Sequence, residues 1–342
     1  MDFVIALGDL FMPRACLACG CRLGMRERHL CLSCAADVPY TRFWLAAHNP
    51  LADRFNAVLE RHRGTEPMDY AYAAALLYYK GAYRSIPRAL KYQGNLAAGR
   101  HYGALLGRRL AAAPHFADID LVIPVPLHWT RLRSRGYNQA EVLARALADA
   151  FRATSGPGAP GSVALSTASS SGTSERWPVG AGHDEKSIPT IASPSTPSTV
   201  LLGTPSTVIP GLTRNLPEVR TDLLVRARRT RTQTRVSVDQ KAQNVASAFQ
   251  VPERFPLWAR LTSRLDRESP AMILASARHI LLVDDTFTTG ATLYACYAAL
   301  RPFTTARISI ATLAAVEGTP SGTGGAPTVL GDAPASTPSG GP

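Results

Sequence analysis

Residues 279–293 read HILLVDDTFTTGATL, and their order decides the fold. Ile280, Leu281, Leu282 and Val283 form the continuous apolar run of a strand buried on both faces, as in a parallel sheet. Such a strand delivers Asp284 and Asp285 to the carboxyl edge of the sheet, where open α/β folds bind ligands. Thr286 to Thr292 then wraps the start of a helix beginning near Ala291. The free N–H groups and the dipole there favour a phosphate. Gly290 permits close backbone approach, and Thr288, Thr289 and Thr292 add hydroxyl donors. The two acids repel a phosphate, so they suit ribose hydroxyls, or a Mg²⁺ that carries a second phosphate group.

The stretch resembles the motif of type I phosphoribosyltransferases that binds phosphoribosyl pyrophosphate (PRPP). That resemblance implies that Asp284 and Asp285 hold the ribose 2′- and 3′-hydroxyls. It also implies that Thr286, Thr288, Thr289, Gly290 and Thr292 cradle the 5-phosphate. A Walker-type loop is excluded because no Gly-Lys-Ser/Thr follows, and no GxGxxG follows a strand.

Working outward, strand and helix patterns alternate, which predicts an α/β fold with a parallel sheet flanked by helices. Strands are expected at Tyr70–Tyr79, Ile119–Val125 and Arg307–Leu313, with order resuming at Leu223-Leu224-Val225. Helices are expected at Ala82–Lys91, Leu96–Ala113, Tyr137–Arg152 and Ser237–Phe249. Residues 154–220 are dense in Pro, Ser, Thr and Gly with no apolar period, and read as a disordered insertion. Residues 253–277 read as a second, charged insertion, and 317–342 as a disordered tail. The folded domain is therefore expected over 46–153 and 221–316, behind an N-terminal module at 1–45.

That module carries Cys16-x-x-Cys19-Gly20 and Cys31-x-x-Cys34. Two such knuckles supply the four thiolates of a closed tetrahedral site, so Cys16, Cys19, Cys31 and Cys34 are the expected ligands of a structural Zn²⁺. Cys21 stands as a spare thiol able to compete with Cys19, and Cys296 reads as a buried small hydrophobe.

Two basic runs flank the strands. Arg131, Arg133 and Arg135 alternate between the strand at 119–125 and the next helix, where cations meet a pyrophosphate. The alternative is a solvated basic loop. Arg226, Arg228, Arg229 and Arg231 form the second run: a mobile loop closing over a leaving pyrophosphate, or an exposed basic face. The net charge of +12 in 342 residues suits polyanion partners, and equally an Arg-preferring composition. No apolar run reaches the roughly 18–20 residues of a membrane span. Residues 1–12 lack a basic n-region and a cleavage site, and read as a short packing helix, so cytoplasm is the default location.

Together these segments resemble the competence protein ComF family, an N-terminal zinc ribbon fused to a type I phosphoribosyltransferase domain. The matching pieces are the cysteine pairs, Tyr79-Lys80-Gly81, Leu90-Lys91-Tyr92, Pro124-Val125-Pro126, Arg135-Gly136-Tyr137-Asn138-Gln139-Ala140, Leu224-Val225-Arg226 with Thr230 and Gln233, Asn244-Val245 with Ala248-Phe249, and the PRPP motif. The chain departs from the family in its long 154–220 insertion and in Lys241, where the family usually has Arg. The resemblance implies a role in DNA uptake during natural competence, with single-stranded DNA, a competence helicase and other uptake proteins as partners. For the site it implies Mg²⁺ with PRPP or a nucleotide. It implies catalytic parts for Asp284, Asp285, Arg131, Arg133 and Arg135. It leaves three classes open: a phosphoribosyltransferase, a single-strand-binding accessory, and a non-catalytic PRPP sensor.

Overall fold

A computed structural model of the chain describes residues 14–62, 69–155, 217–227, 248–255 and 269–318. The expectations for residues 1–12, for most of the 154–220 insertion and the C-terminal tail, for Arg228, Arg229 and Arg231, and for Lys241 and Asn244 lie outside these residues.

Its centre is a five-stranded parallel sheet. In chain order the strands are β1 (Ala73–Tyr78), β2 (Leu121–Pro124), β3 (Glu218–Val219), β6 (His279–Phe287) and β7 (Arg307–Ala315), arranged β1-β7-β6-β2-β3. Two short strands, β4 (Val225–Arg226) and β5 (Phe249–Gln250), pair antiparallel beside it. Side chains alternate across each main strand. Ile280, Leu282, Ile308 and Ile310 face one core, while Leu281, Val283, Ala311 and Leu313 face the other.

Helices cover both faces. On the first lie α2 (Pro50–His62), α7 (Pro270–Ser276) and α8 (Ala291–Leu300), through Leu51, Phe55, Leu274, Leu293 and Leu300. On the second lie α3 (Ser85–Tyr92), α4 (Leu96–Ala111) and α6 (Gln139–Ser155), through Ile86, Leu90, Leu106, Leu143 and Leu147. The cysteine module, with its single-turn α1 (Leu32–Ala36), docks on this second side through Leu23, Leu30 and Val38. α4 and α6 approach closely because α4 presents glycines four residues apart. A methyl group at Gly103 would stand 2.8 Å from the Leu143 carbonyl oxygen, and one at Gly107 only 2.2 Å from that of Leu147.

Two expectations change. Arg131, Arg133 and Arg135 do not lie on a loop: residues Trp129–Arg135 form helix α5, capped by the His128 ring, which accepts from the Thr130 N–H. The stretch read as a charged insertion contains α7, whose start is made by Ser269 accepting from the Met272 N–H and by Pro270 in the first turn. Of the helix expected at 237–249, residues 248 and 249 are described; Phe249 is in β5.

Chain direction creates a crevice. From β2 the chain proceeds to β3 on one side, and from β6 to β7 on the other. The carboxyl ends of β2 and β6 are thus a switch point, where the direction of strand order reverses.

Candidate functional site

A cleft of about 680 Å³ opens at this switch point. Its walls come from β6, α3, α5, the start of α6, and β4. β6 runs past the acid pair to Phe287, so Asp284 and Asp285 stand on paired strand rather than on a free loop. Asp285 is buried, and Lys91 of α3 meets its two carboxylate oxygens at 3.1 and 3.4 Å. Asp284 lines the cleft, and its Oδ1 accepts from the Asp285 N–H at 2.8 Å. Burial and the adjacent Asp285 charge push the Asp284 carboxyl up to about 7. Lys91 is raised as well: burial opposes its charge, yet Asp285 lifts it above the ordinary lysine value. An ammonium thus already occupies part of the space beside the acids.

The phosphate end is built by the turn into α8. Gly290 adopts φ +81° as the residue before the helix, and a methyl there would meet the Phe287 ring at 3.0 Å. Thr286, Thr288 and Thr292 line the cleft. Thr289 does not; its hydroxyl turns back toward the Ala291 N–H at 3.5 Å. Arg54 of α2 holds the turn from outside, donating to the carbonyls of Thr288 at 2.8 Å and Val316 at 2.7 Å. Its guanidinium also lies 5.2 Å from the centre of the Phe287 ring.

The cleft is also lined by cations. Arg131 and Arg135, one helical turn apart, share a face of α5 and line the cleft together with Arg88, Lys91 and Arg226. Arg133 lies between them in sequence, on another face of α5, exposed and outside the cleft lining. An alternation that would align on a strand splits on a helix. Arg226, from β4, is brought in from the second basic run. Burial first and then the Arg131 charge lower its pKa, while Asp284 acts to raise it.

Four residues went unread as site components in the sequence: Arg54, Arg88, Lys91 and Gln139. Asn138 caps α6, accepting from the Ala140 N–H at 3.1 Å and donating to the Val125 carbonyl at 3.0 Å. Gln139 follows it, only 2% exposed, lining the cleft, and its amide nitrogen has no hydrogen-bond partner among the described residues. A buried orphan donor costs about 1–3 kcal/mol unless a ligand atom accepts from it.

The acid pair supplies a pH signature. The folded Asp284 carboxyl binds its proton more tightly than an unfolded one, so the folded state holds the extra proton between about pH 4 and pH 7. The stability this contributes is complete below the ordinary carboxylate value and is lost as pH rises through about 7. Asp284→Asn removes that loss. It should therefore stabilise the chain at about pH 8 by roughly 1–3 kcal/mol, with the gain shrinking toward about pH 4.5, as read by thermal denaturation at the two pH values.

A second group of side chains lies in the N-terminal module. The Sγ atoms of Cys16, Cys19, Cys21 and Cys31 lie within 4.8 Å of one another, close enough to share a metal ion. The four expected from spacing included Cys34 rather than Cys21. Gly20, at φ +76°, folds the chain back so that the Cys16 N–H donates to the Cys21 carbonyl at 2.8 Å, which swings Cys21 inward. Cys34 lies alongside, in contact with Cys31, Cys19 and Cys16. Burial opposes ionisation of Cys16, but N–H groups of Cys19, Cys31 and Ala18 bring it down to about 6. The Cys19 and Cys31 side chains push Cys21 up to about 12. Thiols this crowded ionise together only around a cation.

Among the described residues no helix is long and apolar enough to cross a membrane. No protein-family model matches the chain, and no curated protein matches it.

Proposed function

We propose that the cleft binds a ribose 5-phosphate carrying a second phosphate group, with Mg²⁺–PRPP as the leading ligand and a ComF-like phosphoribosyltransferase domain as its setting. The observation that carries this reading is the set of groups that line one cleft. It combines the hydroxyl acceptors Asp284 and Asp285, a threonine-lined helix start, and the cations Lys91, Arg131, Arg135 and Arg226 with the orphan Gln139 amide. A ribose, a 5-phosphate and a pyrophosphate need these three kinds of group. Mg²⁺, when bound, would neutralise pyrophosphate oxygens near the acid pair. In a transfer reaction a nitrogen nucleophile would form its bond to ribose C1 as the C1–O bond breaks. The electron pair would leave with pyrophosphate, stabilised by Arg131, Arg135 and Arg226, and the nucleophile would lose its proton. A PRPP sensor would use the same contacts without the bond change. For the cysteine module the ligand we propose is one structural Zn²⁺.

Calorimetry of the full chain with PRPP, with and without Mg²⁺, tests the reading. Binding should depend on Mg²⁺ and fall within the ordinary substrate range, up to about 1 mM. No Mg²⁺-dependent binding at about 1 mM overturns it. Pyrophosphate release in the presence of candidate bases separates enzyme from sensor.

A second reading, a single-strand-binding role in DNA uptake, has its own support. A groove of about 730 Å³ between the cysteine module and α4 is lined by Arg14, Arg28, Arg100 and Arg108 with His29 and His101, and by no acid. Cationic grooves of this kind follow a phosphodiester backbone. A steep salt dependence of single-strand affinity, insensitive to Asp284 and Asp285, would favour it.

A further inference from the structure

We infer that the cysteine module is an oxidation-sensitive site, in which Cys34, a thiol surplus to the metal, closes a disulfide with the ligand Cys19 when a hydroperoxide oxidises the cluster. This rests on the zinc reading of the module above. Cys16, Cys19, Cys21 and Cys31 hold their Sγ atoms within 4.8 Å of one another, the full set that a tetrahedral ion takes. Cys34 is therefore a fifth sulfur at a four-ligand site. It stands in contact with Cys31, Cys19 and Cys16 rather than apart from them.

The surrounding fold keeps that sulfur in place. Cys31 precedes α1 and Cys34 lies in its first turn, where the Ala35 N–H donates to the Cys31 carbonyl at 2.8 Å. Tyr83, in the turn before α3, donates its hydroxyl to the Cys34 carbonyl at 2.9 Å and ties that residue to the sheet domain. Oxidant access differs among the sulfurs. Cys19 and Cys21 are exposed, Cys31 and Cys34 partly buried, and Cys16 buried. A peroxide in solution thus meets Cys19 and Cys21 first, and of these two Cys19 is the one in contact with Cys34. An accessible sulfur beside a resolving thiol is the arrangement that oxidation turns into a disulfide.

The chemistry balances with the peroxide as the only oxidant. The Cys19 thiolate attacks one peroxide oxygen, the O–O bond breaks, hydroxide leaves, and a sulfenic acid remains. The Cys34 sulfur then attacks the Cys19 sulfur and the S–O bond breaks. The hydroxyl leaves as water with the Cys34 proton. Two electrons have passed from the two sulfurs to the peroxide. Cys16, Cys21 and Cys31 remain, one ligand short of a closed tetrahedral site. The oxidised module should therefore give up its zinc, and a thiol reductant should restore its capacity to bind it.

The test follows zinc release with a chromophoric chelator while hydrogen peroxide is added to the full chain, wild type and Cys34→Ser, and maps disulfides by mass spectrometry of alkylated peptides. Wild type should start with about one zinc, release it, and yield the Cys19–Cys34 disulfide. Cys34→Ser should start with the same zinc and release it at least about tenfold more slowly. Equal release rates would overturn the inference. So would a Cys19–Cys31 disulfide with Cys34 left free, since those two sulfurs already lie 3.8 Å apart. A Cys34→Ser chain purified without zinc would make Cys34 a ligand rather than the surplus thiol, and would overturn it too. Zinc-loaded wild type that keeps its metal in peroxide refutes the inference alone. Wild type that carries no zinc refutes the metal reading and the inference with it.

Discussion

Replacing Asp284 and Asp285 together by asparagine should weaken Mg²⁺–PRPP binding at least about a hundredfold. Each carboxylate accepts charge-assisted hydrogen bonds worth about 1.5–3 kcal/mol, and two lost together approach two decades of affinity or more. The effect should be specific rather than a loss of fold. Asp284 is a carboxylate whose ionisation is already opposed by burial and by Asp285, so a neutral amide of the same shape removes strain from the unliganded chain. Asp285 matters differently: its removal leaves Lys91 without the carboxylate it meets at 3.1 Å, and frees that ammonium to turn toward phosphate. The double variant should accordingly retain its thermal transition while losing calorimetric heat. An unfolded double variant would mean that the pair is a structural element, and unchanged affinity would mean that ligand binds elsewhere.

The second large effect concerns the cysteines. Purified chain should carry about one zinc by elemental analysis, and Cys16→Ser should abolish it. Losing a buried thiolate from a four-ligand site should lower metal affinity by more than about a hundredfold, because metal binding and folding of such a module are coupled. Leu23, Leu30 and Val38 then lose the frame that docks them on the second core, and protease should cut within residues 14–36 while the sheet domain survives. The fourth ligand is decided by a comparison of Cys21→Ser with Cys34→Ser. The sulfur positions predict the greater loss of zinc in Cys21→Ser. The reverse result would restore the paired spacing as the guide, and a metal-free wild type with an intact module would refute the metal site altogether.

These outcomes turn on features of unequal legibility in the sequence. β6 and its acid pair were readable because a strand buried on both faces has to be a continuous apolar run, and only one such run ends in acids. The parallel sheet followed from alternation of patterns. What failed was local. His128 is not among the usual capping residues, so the start of α5 was hidden and three arginines at alternate positions looked aligned; as a helix, α5 separates Arg133 from its neighbours. α7 did announce itself, through Ser269 followed by Pro270, but the charged residues before it masked the signal. Cys21 was read as a spare thiol able to compete with Cys19, and the structure places it in the cluster where Cys34 was expected. Arg54 went unread, and Lys91 and Gln139 were quoted only within family-like segments with no role in the site, for another reason. Their importance lies in contacts made across the fold: Lys91 meets Asp285, Arg54 meets Thr288, and Gln139 faces the same cleft from a different helix. No local pattern encodes such pairs.

A crystal structure of the full chain grown with Mg²⁺ and PRPP puts the ribose-phosphate cleft to its sharpest test. It should show the 5-phosphate against Thr288 and Thr292, the ribose hydroxyls on Asp284 and Asp285, and the pyrophosphate among Arg131, Arg135, Arg226 and the Gln139 amide, with Lys91 displaced from Asp285. Ligand density confined to the groove between Arg28, Arg100 and Arg108, with the Lys91–Asp285 pair still closed, would contradict it.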